Sequence, residues 1–334
     1  MRGFARAMLA FSLVLASTSL ARAEDALKAM IGVLRLSSSA PVFIAQDKGY
    51  FRDAGLNVEL KFFDAAQPIA VATTSGDVDF GITAFTAGLY NLAGKGTLKV
   101  IGGMSRERKG YPLIGYFASN KAYAAGLRSP KDLAGKRVAV TQVGSSFHYS
   151  LGLLADKYGF KLSDVKIVPL QSLSNAAAAL KGETADAALL PASTARKLMD
   201  DGGAKLLGWV GDETPWQLGA VFASPKTLNN KPLVTKLLAA LERADREYHD
   251  VILTSVKDGV APINEQTKPL LEIIAKYTNL PLDQVVGNCA YIDPDGKLDV
   301  RNVDNQIKWL QAQGFVDKGF DVDAIVAKDF VKAD

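Results

Sequence analysis

The feature that most constrains this chain is an alternation. Short runs rich in valine and isoleucine are followed, repeatedly, by segments of helical period. "MIGVLRL" precedes "PVFIAQDKGYFRDAG", "NVELKFF" precedes "AQPIAVATTSG", and "DVDFGITA" precedes "AGLYNLAGKG". Such an order predicts βα units and mainly parallel sheets flanked by helices, an α/β fold. After "LKVIGGMS" the chain reads as crossing, near "PLIGYFASNKAY", into a second series. There "KRVAVT", "KIVPL", "DAALLP" and "KLLGWV" are the strands, and "SLSNAAAALKGETA" and "ASTARKLMDDGG" are helices. "GAVFASP" reads as a return crossing, and the pattern beyond Pro232 is mostly helical. An internal echo supports two similar lobes. "TTSGDVDFGITAF" and "LKGETADAALLPAS" both run from a Gly-terminated helix through an acidic turn to a short strand and a small-residue loop.

The first residues carry a different signal. Arg2 and Arg6 precede an apolar run from Ala7 to Leu15, and Ala21-Arg22-Ala23 forms an A-x-A site. This predicts a secretory signal peptide over residues 1–23 and a mature, exported chain from Glu24. The run is too short to span a bilayer. The chain is 48% hydrophobic and 22% charged, a globular composition, and its formal charge of +4 lies partly in the leader. No basic patch with interleaved aromatics points to nucleic acid. The single cysteine, Cys289, has no partner for an internal disulfide and reads as a small buried hydrophobe. With two histidines, His148 and His249, a histidine-based metal site is not expected. Neither is a cofactor.

In open α/β sheets, ligands bind beyond the carboxyl ends of the strands. In the first lobe that rule selects Ser37, Ser38 and Ser39, then Gln67, then Thr83, Phe85 and Thr86. In the second it selects Gln142, Gly144, Ser145 and Ser146, then Pro191 and Ser193, then Trp209 and Trp216. The set is hydroxyls, amides, helix-start N–H groups and a few aromatics, with little charge. "VAVTQVGSSFHYSLGLLADKYG" is its centre: a strand, Gly144, two serines, and a helix with Leu151, Leu154, Ala155 and Tyr158 on one face. Ser145 or Ser146 suits the N-cap, and the free N–H groups of such a turn attract anions. Both readings, cap and anion site, stand on the residues alone. His148, in the first turn, is either a ligand hydrogen-bonder or an ordinary neutral histidine. Arg35 is either a ligand cation or a surface ion-pair partner. No G-x-S-x-G elbow, dinucleotide G-x-G-x-x-G or P-loop follows a strand. Asp77, Asp79 and Asp186 precede or sit within strands and read as turn and cap residues.

Four segments together resemble the periplasmic binding proteins of nitrate/sulfonate/taurine-type ABC transporters: "PVFIAQDKGYFRDAGLNVEL", "GDVDFGITAFTAGLYNLAGKG", "SPKDLAGKRVAVTQVGSSFHYSLGLLADKYG" and "ETADAALLPASTARK". The resemblance runs from about residue 30 to 225. It implies a two-lobed, type II periplasmic-binding-protein fold with the ligand between lobes. Residues 24–117 form the first part of lobe I, 118–218 form lobe II, and 219–334 form the return and the C-terminal helices. It implies that Gly144, Ser145 and Ser146, with Thr83, Ala84 and Phe85, meet an anionic head group. "LLPASTARK" departs from the Trp-Asp-Pro-like segment of sulfonate binders, and "RLSSSAP" from the "WTPN"-like segment of thiamine-precursor binders. The expected function is capture of a small organic anion, a sulfonate or carboxylate. A monomer delivers it to an inner-membrane ABC permease with a cytoplasmic ATPase, and Phe85, His148 and Trp216 flank the ligand's tail. The alternative is a neutral aromatic or pyrimidine ligand stacked on Trp216 or Phe85. An enzyme on the same fold is the least favoured reading. A sensory binding module that feeds a membrane receptor is not separable from transport by sequence.

Overall fold

A computed structural model describes residues 26–334; the expected signal peptide lies outside the described residues. The first half of the chain contributes β1 (Leu27–Leu34), β2 (Leu56–Phe63), β3 (Phe80–Ala84), β4 (Lys99–Gly103) and β5 (Ser105–Glu107). Next come β6 (Ile114–Ala118), β7 (Arg137–Val140), β8 (Lys166–Pro169), β9 (Ala187–Pro191) and β10 (Lys205–Trp209). The last are β11 (Trp216–Gln217), β12 (Gly219–Ala223) and β13 (Tyr291–Ile292).

Two five-stranded sheets define two lobes, ordered β2-β1-β3-β12-β4 and β10-β6-β9-β7-β8. Reading the second in reverse gives the same plan. In each, three neighbouring strands run parallel, and the fourth is antiparallel to both neighbours. That fourth strand, β12 or β6, follows directly on a crossing from the other lobe. Burial follows position. The central β9 is buried along its whole length, whereas the edge strand β2 alternates at first between buried and exposed residues.

The internal echo has a chemical counterpart. The Asp79 carboxylate accepts a hydrogen bond from the Met30 N–H, and the Asp186 carboxylate accepts one from the Arg137 N–H, both at 2.8 Å and both across 49 residues. The Asp79 and Asp186 N–H groups donate back to the Met30 and Arg137 carbonyls. Each aspartate thus fastens the start of its lobe's central strand to the neighbouring one. Asp186 also pairs with the Arg137 guanidinium, which holds its carboxyl below the usual range.

The Lys231–Val251 helix presents Leu233, Leu237, Ala240, Leu241 and Ala244 to the first lobe, where they join the core around Val42, Phe43 and Ile44. Cys289 is buried in the same core, and burial pushes its thiol up to about 12. The lobes are joined by an antiparallel ribbon in which β5 pairs with β11 and β13. A second junction lies in the C-terminal Val300–Ala312 helix. Its Val303, Ile307 and Leu310 belong to the first lobe's core, while Trp309 also packs on the second lobe's. No described helix is long and apolar enough to cross a membrane.

Candidate functional site

A cavity of about 710 Å³, counted out to its open mouth, lies between the lobes at the carboxyl ends of β1, β3, β7 and β9. From the first lobe, Ser38, Ser39, Gln67, Thr83 and Thr86 line it; from the second, Gln142, Ser145, Ser146 and Pro191 do. Their positions follow from local rules. Ser145 is the N-cap of the Ser146–Tyr158 helix, its hydroxyl oxygen accepting from the His148 N–H at 3.4 Å. Its proton is left to donate elsewhere. Thr86 caps the Ala87–Gly94 helix and donates to Gln67 Oε1 at 2.6 Å, which fixes the Gln67 amide. That amide sits where a side chain on Gly88 would be, since a Cβ there would lie 2.1 Å from Gln67 Nε2. The Thr83 hydroxyl is buried and finds no hydrogen-bond partner among the described residues.

Other residues named from the sequence lie elsewhere. Phe85 is buried, stacked on Tyr90 with ring centroids 5.1 Å apart inside the first lobe. Trp216 packs edge-on against Tyr149 in the second lobe's core. Neither ring lines the cavity, where the only aromatic side chain among the described lining residues is Phe147. The aromatic-stacking alternative therefore loses both of its residues. His148 Nδ1 accepts from the Gly144 N–H at 3.0 Å, and its ring rests on Phe315. Burial lowers its pKa, so the imidazole is neutral and serves the turn rather than the cavity. Gly144 itself, at φ +74°, faces the other lobe. Its carbonyl accepts from the Ala87 N–H at 2.8 Å, and a Cβ would come within 2.7 Å of Ala87 Cβ. Ser37 and Ser193 are buried beside the cavity rather than in its wall. The Arg35 guanidinium lies over the Phe62 ring and donates to the Tyr277 carbonyl.

The strand-end rule also covers Thr141 and Leu173, which line the cavity and were not singled out. Met104, Ser105, Leu113, Ile114 and Leu218 line it from the crossing segments, and no local pattern marks them.

Electrostatics come from the backbone. Six helices begin at the cavity: Ala40–Asp47, Ala66–Ser75, Ala87–Gly94, Ser146–Tyr158, Leu173–Lys181 and Ala192–Asp200. None has an acidic residue in its first turn. Each N-terminus carries roughly half a positive elementary charge. Among the described lining residues, no side chain is charged. The cavity is therefore positive without a single cation.

Two similar lobes, an antiparallel strand in each and a cleft at the strand ends define a periplasmic-binding-protein fold. A family model described as NMT1/THI5 like matches residues 37–249, and the chain belongs to that family. A taurine-binding periplasmic protein of Escherichia coli is 31% identical over 169 residues, 50% of this chain and 49% of that one. The chain thus matches about half the length of that curated relative. The alkanesulfonate-binding protein SsuA of Xanthomonas axonopodis, solved bound to MOPS, has a similar structure (TM-score 0.71, 21% identity, 93% of this chain and 100% of that chain covered). So does the nitrate-binding protein NrtA of Synechocystis (TM-score 0.70, 14% identity, 92% and 87% covered). At these identities the structural likenesses speak for the fold.

Proposed function

We propose that this protein is the periplasmic solute-binding component of an ABC importer. It captures a small organic anion, a sulfonate or carboxylate, between its lobes as a monomer and delivers it to an inner-membrane permease. The observation that carries the reading is the convergence of six helix N-termini, without acidic first turns, on a cavity lined by uncharged donors. Ser145 is cap and cavity wall at once, and Ser146, the first residue of the helix, lines the same wall, so the two readings of that turn do not compete. Ser38, Ser39, Gln67, Thr83, Thr141 and Gln142 supply further hydroxyl and amide groups from both lobes. A ligand held by both lobes favours their closed arrangement by its differential affinity for it. The closed arrangement is then the signal a permease reads.

Replacing Ser145 and Ser146 together by alanine is expected to weaken binding of an organic anion about ten- to hundredfold, through lost charge-assisted hydrogen bonds. Titration calorimetry measures it. An unchanged affinity in the double variant would remove this turn from the site.

A further inference from the structure

We infer that Gly144 and Ala87 are positioning residues: their backbones lock the two lobes to each other and set the spacing of the cavity's two polar walls before any ligand enters. The lock does not depend on what the cavity binds, so it stands apart from the anion reading above.

Both backbone polar groups of Gly144 are committed. Its N–H donates to His148 Nδ1 at 3.0 Å within the second lobe, so no donor of Gly144 is left for an anion. Its carbonyl accepts from the Ala87 N–H of the first lobe at 2.8 Å. Ala87 opens the Ala87–Gly94 helix, where an N–H has no partner within the helix, and it gives that N–H to the opposite lobe. Neither Gly144 nor Ala87 lines the cavity, yet each adjoins residues that do: Ser145 and Ser146 in one lobe, Thr86 in the other. The seat is shaped for a glycine. At φ +74° a side chain on residue 144 would be strained, and its Cβ would lie 2.7 Å from Ala87 Cβ. A second contact lies alongside. The His148 ring rests on Phe315 with centroids 4.9 Å apart, and Phe315 packs on the first lobe's core. The Phe315 carbonyl in turn accepts from Asn91 Nδ2 at 3.0 Å, on the same Ala87–Gly94 helix. One turn of the second lobe is thus tied to one helix of the first, directly and through His148 and Phe315. Thr86 caps that helix and fixes Gln67. Drawing the turn away from the helix start would part Ser145 and Ser146 from the Thr86 and Gln67 side of the cavity.

Ala87→Pro tests the bond. Proline lacks the N–H but suits the first position of a helix, and Thr86 before it is already extended, at φ −141° and ψ 157°. Ala87→Gly keeps the N–H and is the control. X-ray scattering without ligand is expected to give a larger radius of gyration for Ala87→Pro than for the parent or the control, with far-ultraviolet circular dichroism unchanged. Titration with 1-propanesulfonate is expected to show about tenfold weaker binding by Ala87→Pro, the scale of one hydrogen bond. Gly144→Ala, alone and combined with Ala87→Gly, tests the contact separately. The backbone strain at residue 144 is common to both, so a difference between them reports the approach of the lobes. Gly144→Ala alone is expected to enlarge the radius, and Ala87→Gly to restore it. A parent-like radius in Ala87→Pro, or no rescue of Gly144→Ala by Ala87→Gly, overturns the lock. A larger radius with unchanged affinity overturns the positioning role. If the parent does not bind 1-propanesulfonate, the sulfonate reading fails and the scattering still decides the lock.

Discussion

Thr83 shows how a single residue separates structure from function. Its hydroxyl is buried at the end of β3 with no partner among the described residues, although it lines the cavity. A buried polar group without a partner costs about 1–3 kcal/mol. Thr83→Val keeps the shape and removes the hydroxyl. The ligand-free protein is then expected to melt at the same temperature or higher, while ligand affinity falls about tenfold, the worth of one charge-assisted bond. Calorimetric melting and titration of the same sample check both signs. A lower melting temperature with unchanged affinity would assign the hydroxyl to the fold instead. Much of the cavity's polar lining was legible at this scale because strand ends are recognisable and a hydroxyl there has few other uses. Thr83, Thr86, Ser145 and Ser146 follow from that rule. The rule selects Phe85 and Trp216 as well, but neither ring lines the cavity, because side chains alternate between faces along extended backbone and a large apolar ring is stable on either. His148 failed for another reason: its ring turns back to the Gly144 N–H, a contact set by the turn's own geometry.

At the scale of elements, the parallel strands and their helices were read directly from periodicity, and the echo between the lobes was visible as paired acidic turns. The antiparallel strands β6 and β12 were read as crossings. Their pairing depends on partners 70 or more residues away, as with Tyr116 and Leu189 or Ala220 and Thr83, and no local pattern encodes it. The part of the cavity lining that the crossing segments supply was hidden for the same reason. The Ser146–Tyr158 helix carries a further long-range contact that its sequence does not show. A Cβ on Gly152 would lie 1.9 Å from Trp309 Cζ2, so the glycine is a seat for the indole. Trp309 also stands edge-on to Tyr149 at 5.2 Å and donates from Nε1 to Asp156 at 3.2 Å. In an isolated helix Gly152→Ala would be stabilising by about 1 kcal/mol. Here overpacking costs about 1–3 kcal/mol unless the indole withdraws. The expected result is a red-shifted Trp309 emission and looser contact between the lobes, seen as a larger radius of gyration without ligand. An unchanged spectrum and radius would mean that the indole accommodates the methyl without leaving its seat.

For the whole molecule, the positive field of the cavity and the acidity buried behind it obey the same rule: charge is placed by the backbone or withheld by burial. Asp245 illustrates the second case. It lies on the Lys231–Val251 helix, buried, with Oδ1 lacking a partner among the described residues. Burial raises its carboxyl well above the ordinary range, and the nearby Asp293 and Glu242 charges add to the shift. The folded protein therefore keeps Asp245 protonated where the unfolded chain has ionised it. The sign follows from linkage: above the ordinary aspartate pKa near 4, the unfolded state releases a proton that the folded state retains. Stability contributed by the neutral acid is complete below about pH 4 and is lost as pH rises toward the folded-state value. Asp245→Asn removes that titration. Its effect on stability, relative to the parent, is expected to become more favourable as pH rises from about 4 to 8, by about 1 kcal/mol or more, the scale of one pKa unit. Chemical denaturation of both proteins across that range measures it. A difference that stays flat with pH would mean that Asp245 ionises in the folded state, and that Arg246 or Lys332, which pair with Glu242 beside it, neutralise it as well.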